Sequence, residues 1–276
     1  MLDVDLHSHS THSDGILLPA VLARRAFEQG VKLFALTDHD ELSGLAEARE
    51  VCESLGVRFV SGVEISVTWG EETLHIVGLN INPQHPSIAA GLGLIRKGRG
   101  ERAKRIAEQL DKAGIEGTLA GAQRYASNPQ LVSRAHFARF LVERGHAKNT
   151  QAVFKRYLIA GKPGFVEHQW ASLAQAVNWI GEAGGVSVIA HPGRYQLSPT
   201  LRERLLGEFC DLGGTAIEVV TGSHTVDQYA IWGRHAKRFG LKASAGSDFH
   251  GPKESYLDIG RLPNLPEGLI PVWNSF

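Results

Sequence analysis

Short apolar, β-branched runs alternate along the chain with segments of helical periodicity. Runs at 2–6, 31–36, 57–67, 73–81, 186–190, 215–221 and 241–245 read as buried strands. Helices between them are marked by their ends. Pro19 occupies a first helical position and Gly30 closes that helix; Ser43 and Gly56 bracket the next. Ser198 and Pro199 open a third, and Thr225 with Gln228 forms a capping box for a fourth that Gly240 ends. This rhythm predicts a parallel α/β sheet or barrel. The stretch 57–81 departs from it, because two runs flank Trp69, Gly70, Glu71 and Glu72, which predicts a hairpin-like insertion.

The middle of the chain breaks the alternation. Leu92, Ile95, Ala103, Ile106 and Leu110 recur at helical spacing, and no strand run interrupts 88–165. The pattern predicts a helical insert, or cap, over residues 88–165, laid on an α/β body built from 1–87 and 166–276.

Composition narrows the function. The 276 residues hold 29 Lys and Arg against 29 Asp and Glu, which excludes a broadly basic nucleic-acid coat and an acidic disordered tail. Two cysteines cannot frame a disulfide scaffold, so a reducing compartment is expected. The opening MLDVDLHSHS has no basic region ahead of a long apolar one, and no run is long enough to span a bilayer. These features predict a soluble, cytoplasmic protein with no membrane partner and no obligate protein partner. The thirteen histidines are the anomaly.

Those histidines gather at strand ends. The first run ends in His7 and His9 with Asp14 beyond; the second leads to His39. The third carries Glu64 and the fourth His75. Later runs end in His191 and in Asp248 and His250. In a parallel barrel the strand C-termini share one rim, where active sites are built. His7 and His9, two apart on a strand, point to the same side. Imidazole and carboxylate without thiolate suit zinc, iron or manganese.

The segments HSHSTHSDG, TDHD, GVEIS, LHIVG, AHPGR and GSDFH together resemble the PHP (polymerase and histidinol phosphatase) family of metallohydrolases. The resemblance implies a distorted (β/α)7, TIM-like barrel holding two or three divalent cations, manganese first, with zinc or iron as alternatives. It implies His7, His9, Glu64 and Asp248 at the first cation. Glu64 would be shared with a second, completed by His75 and His191. Asp14, His39 and His250 would hold a third. Three divalent cations outweigh three carboxylates, and a hydroxide nucleophile with a phosphate monoester dianion restores neutrality, which favours phosphoester hydrolysis over amide hydrolysis. Metal coordination lowers the pKa of the attacking water.

The helical middle and its SRAHFARFL segment further resemble a bacterial branch of 3′,5′-nucleoside bisphosphate phosphatases and 5′–3′ exonucleases on short RNA and DNA. Arg96, Lys97, Arg99, Arg102, Lys104 and Arg105 crowd the insert against a single Glu101. Arg99 and Arg102 share a helix face and are expected to clamp a second phosphate, joined by Arg134 and Arg194. Arg194 is also expected beside the reacting centre with Asp248. His224 is the candidate general acid, with His12 second. The expected activity is removal of the 3′-phosphate from a nucleoside 3′,5′-bisphosphate such as pAp. The alternatives are a 5′–3′ exonuclease on short oligonucleotides, a histidinol-phosphate phosphatase, and a non-catalytic metal-binding polymerase accessory module.

Overall fold

A computed structural model of the chain describes residues 1–276. Eight strands form one sheet: β1 (Val4–Asp5), β2 (Leu33–Leu36), β3 (Arg58–Trp69), β4 (Glu72–Leu79), β5 (Ala171–Ser172), β6 (Val186–Ile189), β7 (Ala216–Thr221) and β8 (Lys242–Gly246). Seven of them run in the order β1-β2-β3-β4-β6-β7-β8, and β5 adds to β3. The first and last strands meet: the Leu6 N–H donates to the Ala245 carbonyl at 3.0 Å and the Asp248 N–H to the His7 carbonyl at 2.9 Å. The result is a nearly closed, TIM-like barrel.

One strand runs against the others. β4 is antiparallel to both β3 and β6, while the remaining pairs are parallel. The two-residue turn Gly70-Glu71 makes this reversal, with Gly70 at φ 59°. The stretch 57–81 is therefore a pair of barrel staves and no insertion, which corrects the expectation. His75 reaches the active rim from the first half of a reversed strand, so it too sits where the other strands end.

The helices are α1 (Pro19–Glu28), α2 (Leu45–Ser54), α3 (Pro86–Lys112), α4 (Thr118–Gln123), α5 (Arg134–Glu143), α6 (Thr150–Val153), α7 (Leu173–Glu182), α8 (Pro199–Asp211) and α9 (Val226–Phe239). Most caps follow the sequence signals, but α2 starts from Gly44 with no side-chain cap, the Ser43 hydroxyl being bonded to His12 instead. Thr225 and Gln228 cap α9 reciprocally, and Gly240 ends it at φ 67°. The Ser198 hydroxyl accepts from the Leu201 N–H.

α3 belongs to two cores. Ile88, Leu92 and Ile95 pack with Trp69, Leu173 and Ile180 of the barrel. Ala103, Ile106 and Leu110 pack instead with Phe137, Leu141 and Leu158 of the helical middle. A rigid 27-residue helix thus carries its second half out over the barrel. No helix of the chain is long and apolar enough to cross a membrane.

Candidate metal centre

The barrel mouth gathers nine side chains: His7, His9, Asp14, His39, Glu64, His75, His191, Asp248 and His250. They form four overlapping groups: His9, Asp14, His39 and His250; His7, His9 and Asp248; His7, Glu64 and His191; and His39, Glu64 and His75. Within each group the ligand atoms lie within 4.8 Å of one another. Glu64, fully buried in β3, is the hub. Its Oε1 lies 2.9 Å from both His75 Nδ1 and His191 Nε2 and 3.3 Å from His7 Nε2. Its Oε2 faces His39 Nδ1 at 2.8 Å and His9 Nε2 at 3.3 Å. Asp248 Oδ1 is 3.3 Å from His9 Nε2, and Asp14 Oδ1 is 3.3 Å from His250 Nε2.

The backbone is bent to make this possible. His191 and Asp248 hold positive φ of 28° and 55°, an unfavourable conformation for such residues that persists where surrounding contacts enforce it. At Gly246, a Cβ would stand 2.2 Å from the Cβ of His7, so only glycine lets β8 lie against β1 at the ligand pair.

The donor set fits divalent cations. His7 Nε2 and His9 Nε2 face each other at 3.1 Å, while His7 Nδ1 is engaged by Glu218 at 2.8 Å. With His7 Nδ1 tied to Glu218, the two ring nitrogens converge on one point, a geometry that a shared cation satisfies. Asp14 Oδ1, His9 Nδ1 and His191 Nδ1 are buried with no hydrogen-bond partner. Burial opposes ionisation of Glu64, Asp14 and Asp248, yet the facing imidazoles hold all three well below the usual carboxylate range. Burial and neighbouring cationic groups push His9 and His191 down to about 3, so both present neutral imidazole. Against the cost of burial, the facing carboxylates raise His7, His39 and His250, so a cation arriving at the cluster would displace protons from these three while finding the carboxylates already ionised.

Three carboxylates outside the ligand set brace the cluster; Asp38 and Asp40 flank His39 in the TDHD segment, while Glu218 went unmarked in the sequence. Glu218 on β7 accepts from His7 Nδ1 and, at 2.5 Å, from the His191 N–H. Asp38 accepts from the Ser10 N–H and from the hydroxyls of Ser10 and Ser13. Asp40 accepts from Ser66 through both backbone and hydroxyl. The only sequence signal for Glu218 was a carboxylate inside an apolar run.

The same cavity, about 920 Å³, has a second, cationic lobe lined by Arg99, Arg102, Arg134 and Arg194. Arg102 and Arg134 bond only to the carbonyls of Val166 and Leu158 and meet no carboxylate. Burial and the neighbouring guanidinium groups pull Arg102 down to about 9, and the same causes lower Arg134. Such uncompensated positive charge suits an anion. Arg99 differs from the expectation: its Nε donates to Asp40 Oδ2 at 2.6 Å and its Nη2 to the Ser66 hydroxyl at 2.7 Å. It is a buried strut between insert and barrel that shows only part of its fork to the cavity. Arg194 is exposed and donates to Asp248 Oδ2 at 3.0 Å. The connection at 165–170 also lines this lobe, with the Trp170 ring under the guanidinium groups of Arg99 and Arg102.

His224 is the clear correction. It is buried outside the cavity lining, its Nε2 accepting from the Gly193 N–H at 2.8 Å while Nδ1 donates to the Val219 carbonyl at 3.0 Å. Both nitrogens are committed to backbone, so no proton is free for a leaving group. Burial holds it neutral, down to about 4. The bond to Gly193 ties His224 to the His191–Arg194 loop. His12 bonds Ser43 and also lies outside the cavity.

The PHP domain family profile matches residues 5–171. A 3′,5′-nucleoside bisphosphate phosphatase of Chromobacterium violaceum is 51% identical over 99% of this chain and 96% of its own. The 5′-3′ exoribonuclease Rnm of Escherichia coli is 44% identical over 98% of this chain and 92% of its own. The structure of an amidohydrolase from Chromobacterium violaceum superimposes with a TM-score of 0.97 at 50% identity, covering 99% of this chain and 95% of the other.

Proposed function

The chain belongs to the PHP family of metal-dependent phosphoesterases, and from that premise we propose that it removes the 3′-phosphate from nucleoside 3′,5′-bisphosphates. The products are a nucleoside 5′-monophosphate and inorganic phosphate. One observation carries this reading: a single cavity joins the histidine–carboxylate cluster to a cationic lobe in which Arg102 and Arg134 are paired with no carboxylate. A substrate with one phosphate occupies the cluster alone; a second phosphate gives the lobe its counter-charge.

His7, His9, Glu64 and Asp248 would hold one cation, Glu64, His75 and His191 a second, and Asp14, His39 and His250 a third, with manganese as the metal we favour. When bound, divalent cations supply an acidified water and neutralise charge on phosphoryl oxygens. The chain's own part is positioning. Arg102 and Arg134 would grip the uncleaved phosphate through charge-assisted hydrogen bonds. Arg194, tied to Asp248, would steer the phosphate that is cleaved. Arg99 and the helical middle, taken as 88–165, would set the distance between the two anions.

A second reading has its own support. The cavity is at the upper end of ordinary ligand sites and opens beside exposed Tyr256, so a short oligonucleotide with a 5′-phosphate fits the same clamp. Relatives from Escherichia coli and Haemophilus influenzae are 5′-3′ exoribonucleases at 44% and 42% identity.

The test is phosphate release from a nucleoside 3′,5′-bisphosphate after chelation and dialysis, then after return of manganese, zinc or iron. Activity abolished by chelation and restored by a divalent cation is expected. Activity that survives complete metal removal would contradict the reading.

A further inference from the structure

Asp14 is held from the insert side by two residues that the cluster itself does not include. Its Oδ2 accepts from the hydroxyl of Ser133 at 3.2 Å, while Oδ1 has no hydrogen-bond partner and faces His250 and His39. The Arg139 Nη2 donates to the Asp14 carbonyl at 2.5 Å and, with Nε, makes a two-point contact to Glu254 at 2.6 and 2.9 Å. Ser133 and Arg139 are both buried and both belong to α5, Ser133 as its N-cap. Arg139 thus fixes the backbone of the Asp14 loop against the segment after His250, and Ser133 occupies one carboxylate oxygen.

We propose that Ser133 and Arg139 are positioning residues that preset Asp14 to offer one oxygen only, so that the cation held by Asp14, His39 and His250 is retained only while α5 is docked. This rests on the reading of the nine residues as a three-cation centre. The physical ground is that hydrogen bonds to a ligating carboxylate fix its orientation, and their loss typically costs 10- to 100-fold in metal affinity. Arg134 follows Ser133 directly, at the first position of the same helix.

Ser133→Ala removes the hydroxyl that Asp14 accepts from, and also a helix cap. Ser172→Ala is the control, because Ser172 caps α7 in the same reciprocal manner away from the cluster. Ser133→Thr keeps both hydroxyl and cap. Manganese is titrated into metal-stripped protein and stoichiometry is read by elemental analysis and calorimetry, with thermal midpoints for each variant. The wild type is expected to bind three cations. Ser133→Ala should weaken one of them by about 10-fold or more and leave two unchanged. Ser133→Thr should restore the third, and Ser172→Ala should lower the midpoint without touching the metal. Three cations bound equally by wild type and Ser133→Ala would overturn the proposal while leaving the three-cation reading intact. A wild type that never takes up a third cation would sink the three-cation reading and the proposal with it.

Discussion

Glu218 Oε1 lies 2.8 Å from Nδ1 of His7, and this contact decides which nitrogen of His7 faces the cluster. With the carboxylate as acceptor, Nδ1 carries the proton and Nε2 offers its lone pair to a cation. The other Glu218 oxygen accepts from the His191 N–H, so one buried side chain sets two ligands at once. Glu218→Gln keeps the shape but can present an N–H to either partner. It is expected to fold and to need about 10- to 100-fold more cation for half-maximal activity. Unchanged cation dependence would show that the contact is incidental.

The arginine lobe predicts a split between substrates. Arg102→Ala and Arg134→Ala each remove a charge-assisted contact to the uncleaved phosphate, a loss of about 2–5 kcal/mol in a desolvated site. That is roughly 30- to several-thousand-fold in kcat/KM on a bisphosphate. Hydrolysis of p-nitrophenyl phosphate should change little. Arg99→Ala should behave otherwise and impair both substrates, because it frees Asp40 and Ser66 beside Glu64. Equal losses for all three variants on both substrates would remove the distinction.

His224 gives a prediction in stability and pH. Its native pKa of about 4 lies below the ordinary 6.5, so below pH 6.5 the unfolded chain binds a proton that the native protein refuses. Its contribution is complete above that pH and is lost as pH falls toward 4, by about 3 kcal/mol at most. His224→Ala should therefore unfold more easily than wild type at pH 7.5, with the gap closing toward pH 4.5 in denaturant titrations. The alkaline limb of the pH–rate profile should keep its midpoint in the variant. A shifted or missing limb would restore His224 as a proton donor.

Gly246→Ala tests the closure of the barrel. The new Cβ would meet His7 at its Cβ and, at 2.7 Å, its backbone nitrogen, neither of which can swing aside. Metal content should collapse together with stability. Full cation loading in a well-folded variant would mean that β1 and β8 can part without cost to the site.

Seven of the eight strands, most caps and the nine clustered residues were legible because each leaves a local mark: a β-branched run, a cap at a fixed offset, a histidine just past a strand; the two-residue β5 leaves none. The reversal of β4 was half legible. Gly70 and Glu71 announced a tight turn, but only the pairing of β4 with β6 made the hairpin part of the wall. Arg99 and His224 were misread for a common reason. Sequence shows a residue type and its neighbours in the chain, whereas their roles depend on partners 59 and 31 residues away, Asp40 and Gly193. Glu218 was missed because its strand otherwise reads as plain core, and the wall at 165–170 because an irregular connection has no period to detect.

The most direct measurement compares two substrates under one condition. Manganese-loaded protein is given a nucleoside 3′,5′-bisphosphate and, separately, a 5′-phosphorylated dinucleotide of the same base, and kcat/KM is determined for each. A clear preference for the bisphosphate is expected, with release of one inorganic phosphate per nucleoside 5′-monophosphate formed. A preference for the dinucleotide, with mononucleotides as the products, would contradict it and assign the same cavity to exonucleolytic cleavage.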